Sequence, residues 1–266
     1  MTNSRAITDA DIDNTDDEAE REAGGVDGDD VGATRRAKRR AFRKDEILRT
    51  ALELVTEGGL DAVTTTELAK RTGAALGALY RFFPSKAAVI AALQERALEQ
   101  LSDDLRAAVD ETRARSLLLP PRARALAPLI SMADAFFAQH AKQPARFRLI
   151  DEIISKPAAV YEDKDAVVAD LAIQPLLQAA FELVQEFTAV SGVVVVDDHI
   201  RRFPMVMWAA LHGTTHFIKR DRLMDEVMKS RMVAGTLVRL LLSGLGATND
   251  DIAAAAAVAK PQAVTL

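Results

Sequence analysis

Three helix breakers fall close together in this chain: the pair Gly58-Gly59, then Gly73, then Pro84. The segments they bound are too short for long bundle helices. They leave room for two helices of roughly two turns each, joined by a turn of a few residues. Ahead of them, Ile47, Leu48, Ala51, Leu52 and Val55 recur at helical spacing, so a longer helix comes first and stops at Gly58-Gly59. Thr64 stands three residues before Glu67, the spacing of a capping box, and opens the second helix, with Leu68 and Ala69 facing inward. The third is expected over about 75–82. Pro84 cannot continue it, and Ser85 caps a long amphipathic helix behind it. A long helix followed by two short ones about a tight turn is a helix-turn-helix, here over about 64–83.

Such a unit lays its second short helix in the major groove of double-stranded DNA. The outer face of that helix must then be small, and Ala75, Gly77 and Ala78 are small, with Leu76 beside them. Leu79 and Phe83 are expected to point back onto the first helix, and Phe82 either joins that small core or stays outside it. The Tyr80 hydroxyl can reach a phosphate, and Arg81 a phosphate or a guanine edge. Lys86 sits at a helix N-terminus, where the macrodipole also favours an anion. Thr64, Thr65 and Thr66 are further contact candidates. Charge agrees with this placement. The whole chain carries −5, yet residues 1–34 carry −9 and residues 35–90 carry +6. Basic blocks suit phosphate backbones. The run Arg35–Lys44 is either such a block or a solvated helix face.

The rest of the chain reads as helical, giving an all-α protein. Residues 1–34 lack apolar periodicity and are expected to be a disordered acidic tail. Residues 35–92 form the helix-turn-helix domain, 93–246 a larger helical domain for ligand binding and dimerisation, and 247–266 a frayed C-terminal tail. Within the larger domain, Pro120-Pro121 interrupts the pattern, Pro175 is expected to bend a long helix, and Val193–Val196 reads as a buried turn or the approach to the next helix. Asp197-Asp198 would cap a helix running to about Arg220, and the last helix is expected over Leu223–Ser243. With no cysteine in 266 residues, disulfides, thiolate catalysis and cysteine-ligated zinc are excluded. No signal peptide is visible, and no apolar run approaches the roughly 20 residues of a membrane span. No catalytic constellation or phosphate loop stands out, so an enzyme is not expected, nor a cofactor. Met132, Phe136, Phe181, Met207 and Trp208 are candidates for a hydrophobic ligand pocket, against the alternative that they are plain core. His212 and His216, four apart on one helical face, have chelating spacing, with Asp221 and Asp225 near in sequence. Two histidines lining an interface or pocket is the reading preferred, and no metal site is assigned.

The stretch TTTELAKRTGAALGALYRFFPSK, Thr64 to Lys86, resembles the signature of the TetR family of bacterial transcriptional regulators. The likeness runs from Ala41 to about Gln100 and includes Ile47, Gly58-Gly59, Thr64, Leu68-Ala69, Gly73, Gly77, Leu79-Tyr80, Phe83-Pro84 and Lys86. The segment MWAALHG, Met207 to Gly213, resembles a stretch of the family's penultimate helix. The resemblance implies a homodimeric repressor or regulator that binds a palindromic operator and is released by a small-molecule effector. It implies that the start of the first helix, near Arg43 and Lys44, also meets DNA. It further implies a dimer built on the last two long helices, over about 197–243. The chain departs from the family's usual pattern where polar residues of the reading helix are replaced by Ala75, Leu76 and Ala78, which removes an N-cap and obvious base readers. That departure leaves open an alternative: a helical small-molecule-binding or interaction protein with weak or vestigial DNA binding.

Overall fold

The computed structural model describes residues 28–155, 163–193 and 197–266, and among these every regular element is helical. The chain divides into two compact units, residues 1–49 and 50–266. The boundary expected at 92/93 has no counterpart in this division, because α4 (Lys86–Arg115) crosses that point as one continuous helix. The expected acidic tail lies outside the described residues up to residue 27. Beyond it, α1 (Gly28–Gly58) begins earlier than apolar periodicity alone indicates.

In the second unit, α2 (Thr65–Thr72) and α3 (Leu76–Phe82) pack on each other. α4 is followed by α5 (Pro121–Lys142), which starts with Pro121 in its first turn, where a missing N–H costs nothing. α6 (Pro144–Ser155), α7 (Asp163–Ser191) and α8 (Asp197–Thr215) follow. α7 runs through Pro175 as a single helix. α5 is the hub: it packs against α4, α6, α7, α8 and a C-terminal helix. Leu98, Leu101, Leu126, Ile130, Leu149, Ile150, Phe187 and Leu211 are fully buried around it. Two buried polar links fix the register of α4. Gln94 donates to the Leu149 carbonyl of α6 at 3.2 Å, and Thr112 donates to Ser131 of α5 at 2.9 Å. No single described helix is long and apolar enough to cross a membrane.

Three expectations are corrected at the C-terminal end. α8 stops at Thr215 instead of reaching Arg220, with Thr214 and Thr215 donating to the carbonyls of Leu211 and His212. The last long helix, α9 (Ser230–Gly244), starts seven residues later than Leu223. The reason is Asp221, whose Oδ1 accepts from the Ser230 amide at 2.9 Å and its hydroxyl at 2.7 Å and so fixes the helix start there. Residues 223–229 form short turns instead. Finally, the expected frayed tail holds a helix, α10 (Asn249–Ala259), closed by a capping box between Thr248 and Asp251. Its Ile252, Ala255 and Ala259 are buried. The remaining tail is tied down too. The Ala263 and Val264 amides donate to Asp134 of α5, and the Thr265 amide donates to the Arg231 carbonyl of α9. The small-residue face of α10 allows close packing on α5. Val194–Val196 of the valine run lie outside the described residues.

Candidate nucleic-acid interface and ligand cavity

The α2–turn–α3 unit is built by local chemistry. The Thr64 hydroxyl accepts from the Glu67 amide at 3.1 Å, the N-cap that its position demands. The Glu67 side chain does not complete the box; it accepts from Arg71 Nε at 2.9 Å. Arg71 also forms a two-point pair with Glu57 at the end of α1, at 2.8 and 2.7 Å, and holds the Glu57 carboxyl below its ordinary range. Gly73 ends α2 at φ 65°, a left-handed turn that glycine enters at no steric cost. Ala75 is the N-cap of α3 and offers no side-chain bond; its carbonyl accepts from the Ala78 and Leu79 amides. Ser85 caps α4 by accepting from the Ala88 amide at 3.1 Å.

α3 is two-sided. Leu79 is completely buried and Phe83 is 3% exposed, so these two hold the helix against the unit. Ala75, Leu76, Gly77, Tyr80 and Arg81 face outward, with Ala78, Phe82 and Lys86 half-buried. A Cβ built on Gly77 meets nothing within 4 Å, so the outer face there is open. Thr64 and Thr66 are exposed at the start of α2 and Thr65 is half-buried. The candidate contacts between Thr64 and Lys86 thus sit in one continuous helical hairpin. Arg43 and Lys44 belong to the other compact unit. There Lys44 is exposed and Arg43 pairs with Glu46 on its own helix at 2.7 Å.

A cavity lies between α4, α5, α6, α7 and α8. Every side chain lining it is aliphatic, thioether or aromatic. Of the pocket candidates, Met132, Phe136, Met207 and Trp208 line it. Phe181 does not. It lines a separate outer cleft with Gln174, Gln178, Arg201 and Met205. The cavity is met by Leu177, Ala180 and Val184, and Phe181 stands roughly 100° round the helix from Ala180. Leu98, Leu101, Leu105 and Ile150 also line the cavity but carry no mark that separates them from ordinary core in the sequence. The free space is about 70 Å³. Benzene occupies a cavity of about 150 Å³, so a larger ligand must part these helices to enter.

Comparison with known proteins places these features. Residues 47–93 match the model of the family described as bacterial regulatory proteins, tetR family. The HTH-type transcriptional regulator YvdT of Bacillus subtilis is 33% identical over 69 residues, 26% of this chain and 36% of that protein. The class C tetracycline repressor protein of Escherichia coli is 41% identical over 57 residues, 21% of this chain and 26% of the repressor. The chain therefore spans about a third, or less, of the length of these relatives. The crystal structure of the transcriptional regulator FadR from Bacillus subtilis in complex with stearoyl-CoA superposes with a TM-score of 0.53 at 17% identity. It covers 75% of this chain and 97% of that one, a likeness of fold that extends beyond the helix-turn-helix.

Proposed function

Because the chain belongs to the TetR family of bacterial transcriptional regulators, we propose that it is a cytoplasmic, homodimeric repressor that binds a palindromic DNA operator and leaves it when a small hydrophobic effector enters the second unit. The observation that carries the DNA reading is α3. Its apolar side chains Leu79 and Phe83 are buried, while an unobstructed face of small residues ends in Tyr80 and Arg81. A helix of this shape can approach base edges closely. Specificity then rests on Arg81, on apolar contacts to thymine methyl groups from Ala75, Leu76 and Ala78, and on Thr64 to Thr66. Tyr80 and Lys86 hold phosphates.

The effector class is read from a cavity lining that is apolar apart from the Trp208 indole N–H and so offers little to a sugar or nucleotide. A fold neighbour crystallised with stearoyl-CoA supports an acyl chain as the first ligand to try. Dimerisation is proposed on α8 and α9, which pack side by side and leave Val206, Ala209, Thr236 and Leu240 exposed.

Two linked measurements test this reading. An electrophoretic shift on the DNA upstream of the chain's own gene should show a saturable, salt-dependent complex distinct from random DNA. Trp208 is the single tryptophan and lines the cavity, so its fluorescence reports ligand entry. A fatty acid that changes this fluorescence should dissolve the complex over the same concentration range. Ligand binding with no preference for any DNA would replace the proposal with a helical small-molecule-binding protein.

A further inference from the structure

Asp151 on α6, His212 on α8 and His216, one residue past the end of α8, each bring one ligand atom to within 4.8 Å of the others. Nε2 of His212 lies 3.0 Å from Asp151 Oδ1, and Nε2 of His216 lies 3.6 Å from the same oxygen. We propose that these three side chains bind one divalent transition-metal ion of the zinc class per chain, with a fourth position open to water. The third ligand comes from α6, and neither Asp221 nor Asp225 takes part; Asp221 is committed to the start of α9.

The spacing is the first argument. Ligand atoms bonded at about 2.0–2.2 Å to a tetrahedral ion stand about 3.4 Å apart. The two distances to Asp151 fall on either side of that value. The second argument is unsatisfied polarity. His212 Nε2 and Asp151 Oδ1 are buried and close, and neither has a hydrogen-bond partner outside this pair among the described residues. Buried polar atoms left this way are costly, and an ion between them would satisfy both. His212 Nδ1 is also buried without a partner. The third argument is ligand type. Two imidazoles and a carboxylate suit zinc, nickel or cobalt better than magnesium or calcium, which prefer all-oxygen shells.

The position gives the site a consequence. Ile150 and Leu211, each one residue from a ligand, line the cavity with Trp208. An ion bridging α6 and α8 would pin two of the helices that must part for a large ligand, so metal occupancy would set how readily the cavity opens.

The test uses tag-free, full-length protein stripped with a chelator. Calorimetric titration with Zn2+ should give one ion per chain at micromolar affinity or tighter, a free energy of about −8 kcal/mol. Magnesium at the same concentration should give no heat, and Co2+ should develop the visible absorption of a tetrahedral nitrogen and oxygen site. His216 is about half exposed and asparagine keeps the shape of aspartate, so His216→Ala and Asp151→Asn should keep the helical circular dichroism of the parent. Each should weaken Zn2+ binding by more than about tenfold. His199→Ala, on the exposed start of α8, should leave it unchanged. Absence of a one-to-one complex in the parent, or equal affinity in the parent and both ligand variants, overturns the proposal. The readout needs no DNA or effector and stands apart from the regulator assignment.

Discussion

At Gly77 a single absent side chain separates two demands. An added Cβ meets nothing within 4 Å, and alanine is a better helix former by about 1 kcal/mol. Gly77→Ala should therefore hold or raise the melting temperature while weakening operator binding, because the new methyl stands on the face proposed to enter the groove. Undiminished operator affinity would remove that face from the interface. Tyr80 and Lys86 carry the opposite expectation. As phosphate contacts, Tyr80→Phe and Lys86→Ala should weaken binding to operator and random DNA alike, and Lys86→Ala should reduce the salt slope by about one. A changed sequence preference with intact nonspecific affinity would make them base readers. These residues were legible because their chemistry is local: Gly73 must be left-handed, Pro84 must stop a helix, and Thr64 must cap. Asp151 was not legible. Nothing in its neighbourhood of the chain hints that it meets His212, and only the packing of α6 on α8 brings them together.

Helix α10 shows how an element can be overlooked and still be well determined. Arg122 of α5 donates to Asp251 at 3.0 Å and to the Gly246 carbonyl at 2.7 Å, and its guanidinium lies 5.6 Å over the Phe187 ring. Burial alone would raise the Asp251 pKa, but the Thr248 amide, the Thr248 hydroxyl and Arg122 outweigh it and leave the carboxyl below its ordinary 3.8. The unfolded chain then takes up this proton first, so the stabilisation is complete above about pH 4 and is lost as pH falls through the lower folded value. Asp251→Asn should cost roughly 1 kcal/mol at neutral pH, and less as the medium is acidified below about pH 4. Urea unfolding at both pH values checks this, and an equal deficit at each would show that the charge is not responsible. Gly235 of α9 makes a steric point at the same scale. A Cβ there would fall 1.7 Å from the Thr265 carbonyl oxygen, a backbone atom. Gly235→Ala should release the 260–266 segment or shift α9, at a cost of about 1–3 kcal/mol, read by melting and by faster amide exchange at Thr265. An unchanged melting temperature would mean that the segment yields freely.

For the whole molecule, the question is what covers α8 and α9. Leu240 is 63% exposed on α9, and Met205 and Val206 are each 46% exposed on α8. A second copy is the proposed cover. Leu240→Glu changes a solvent-facing position within the chain, so it should leave the fold intact yet dissociate the dimer and with it high-affinity operator binding. Sedimentation of the parent as a stable monomer at micromolar concentration would refute the interface, whatever the variant did.

Taken alone, the sequence determined the helical class, the helix-turn-helix and its inward and outward residues. Each depends on contacts within a few turns, where periodicity of 3.6 residues, caps and breakers act directly. Tertiary structure decided the rest. It put Phe181 on an outer cleft, since helix rotation is set by the neighbours across the cavity. It delayed the start of α9 to Ser230 through a carboxylate nine residues earlier. It turned an alanine run into a packed helix because α5 offers it a surface. It also brought Asp151 to His212 and His216: the spacing of four puts the two histidines together, but nothing local in the chain places the aspartate beside them.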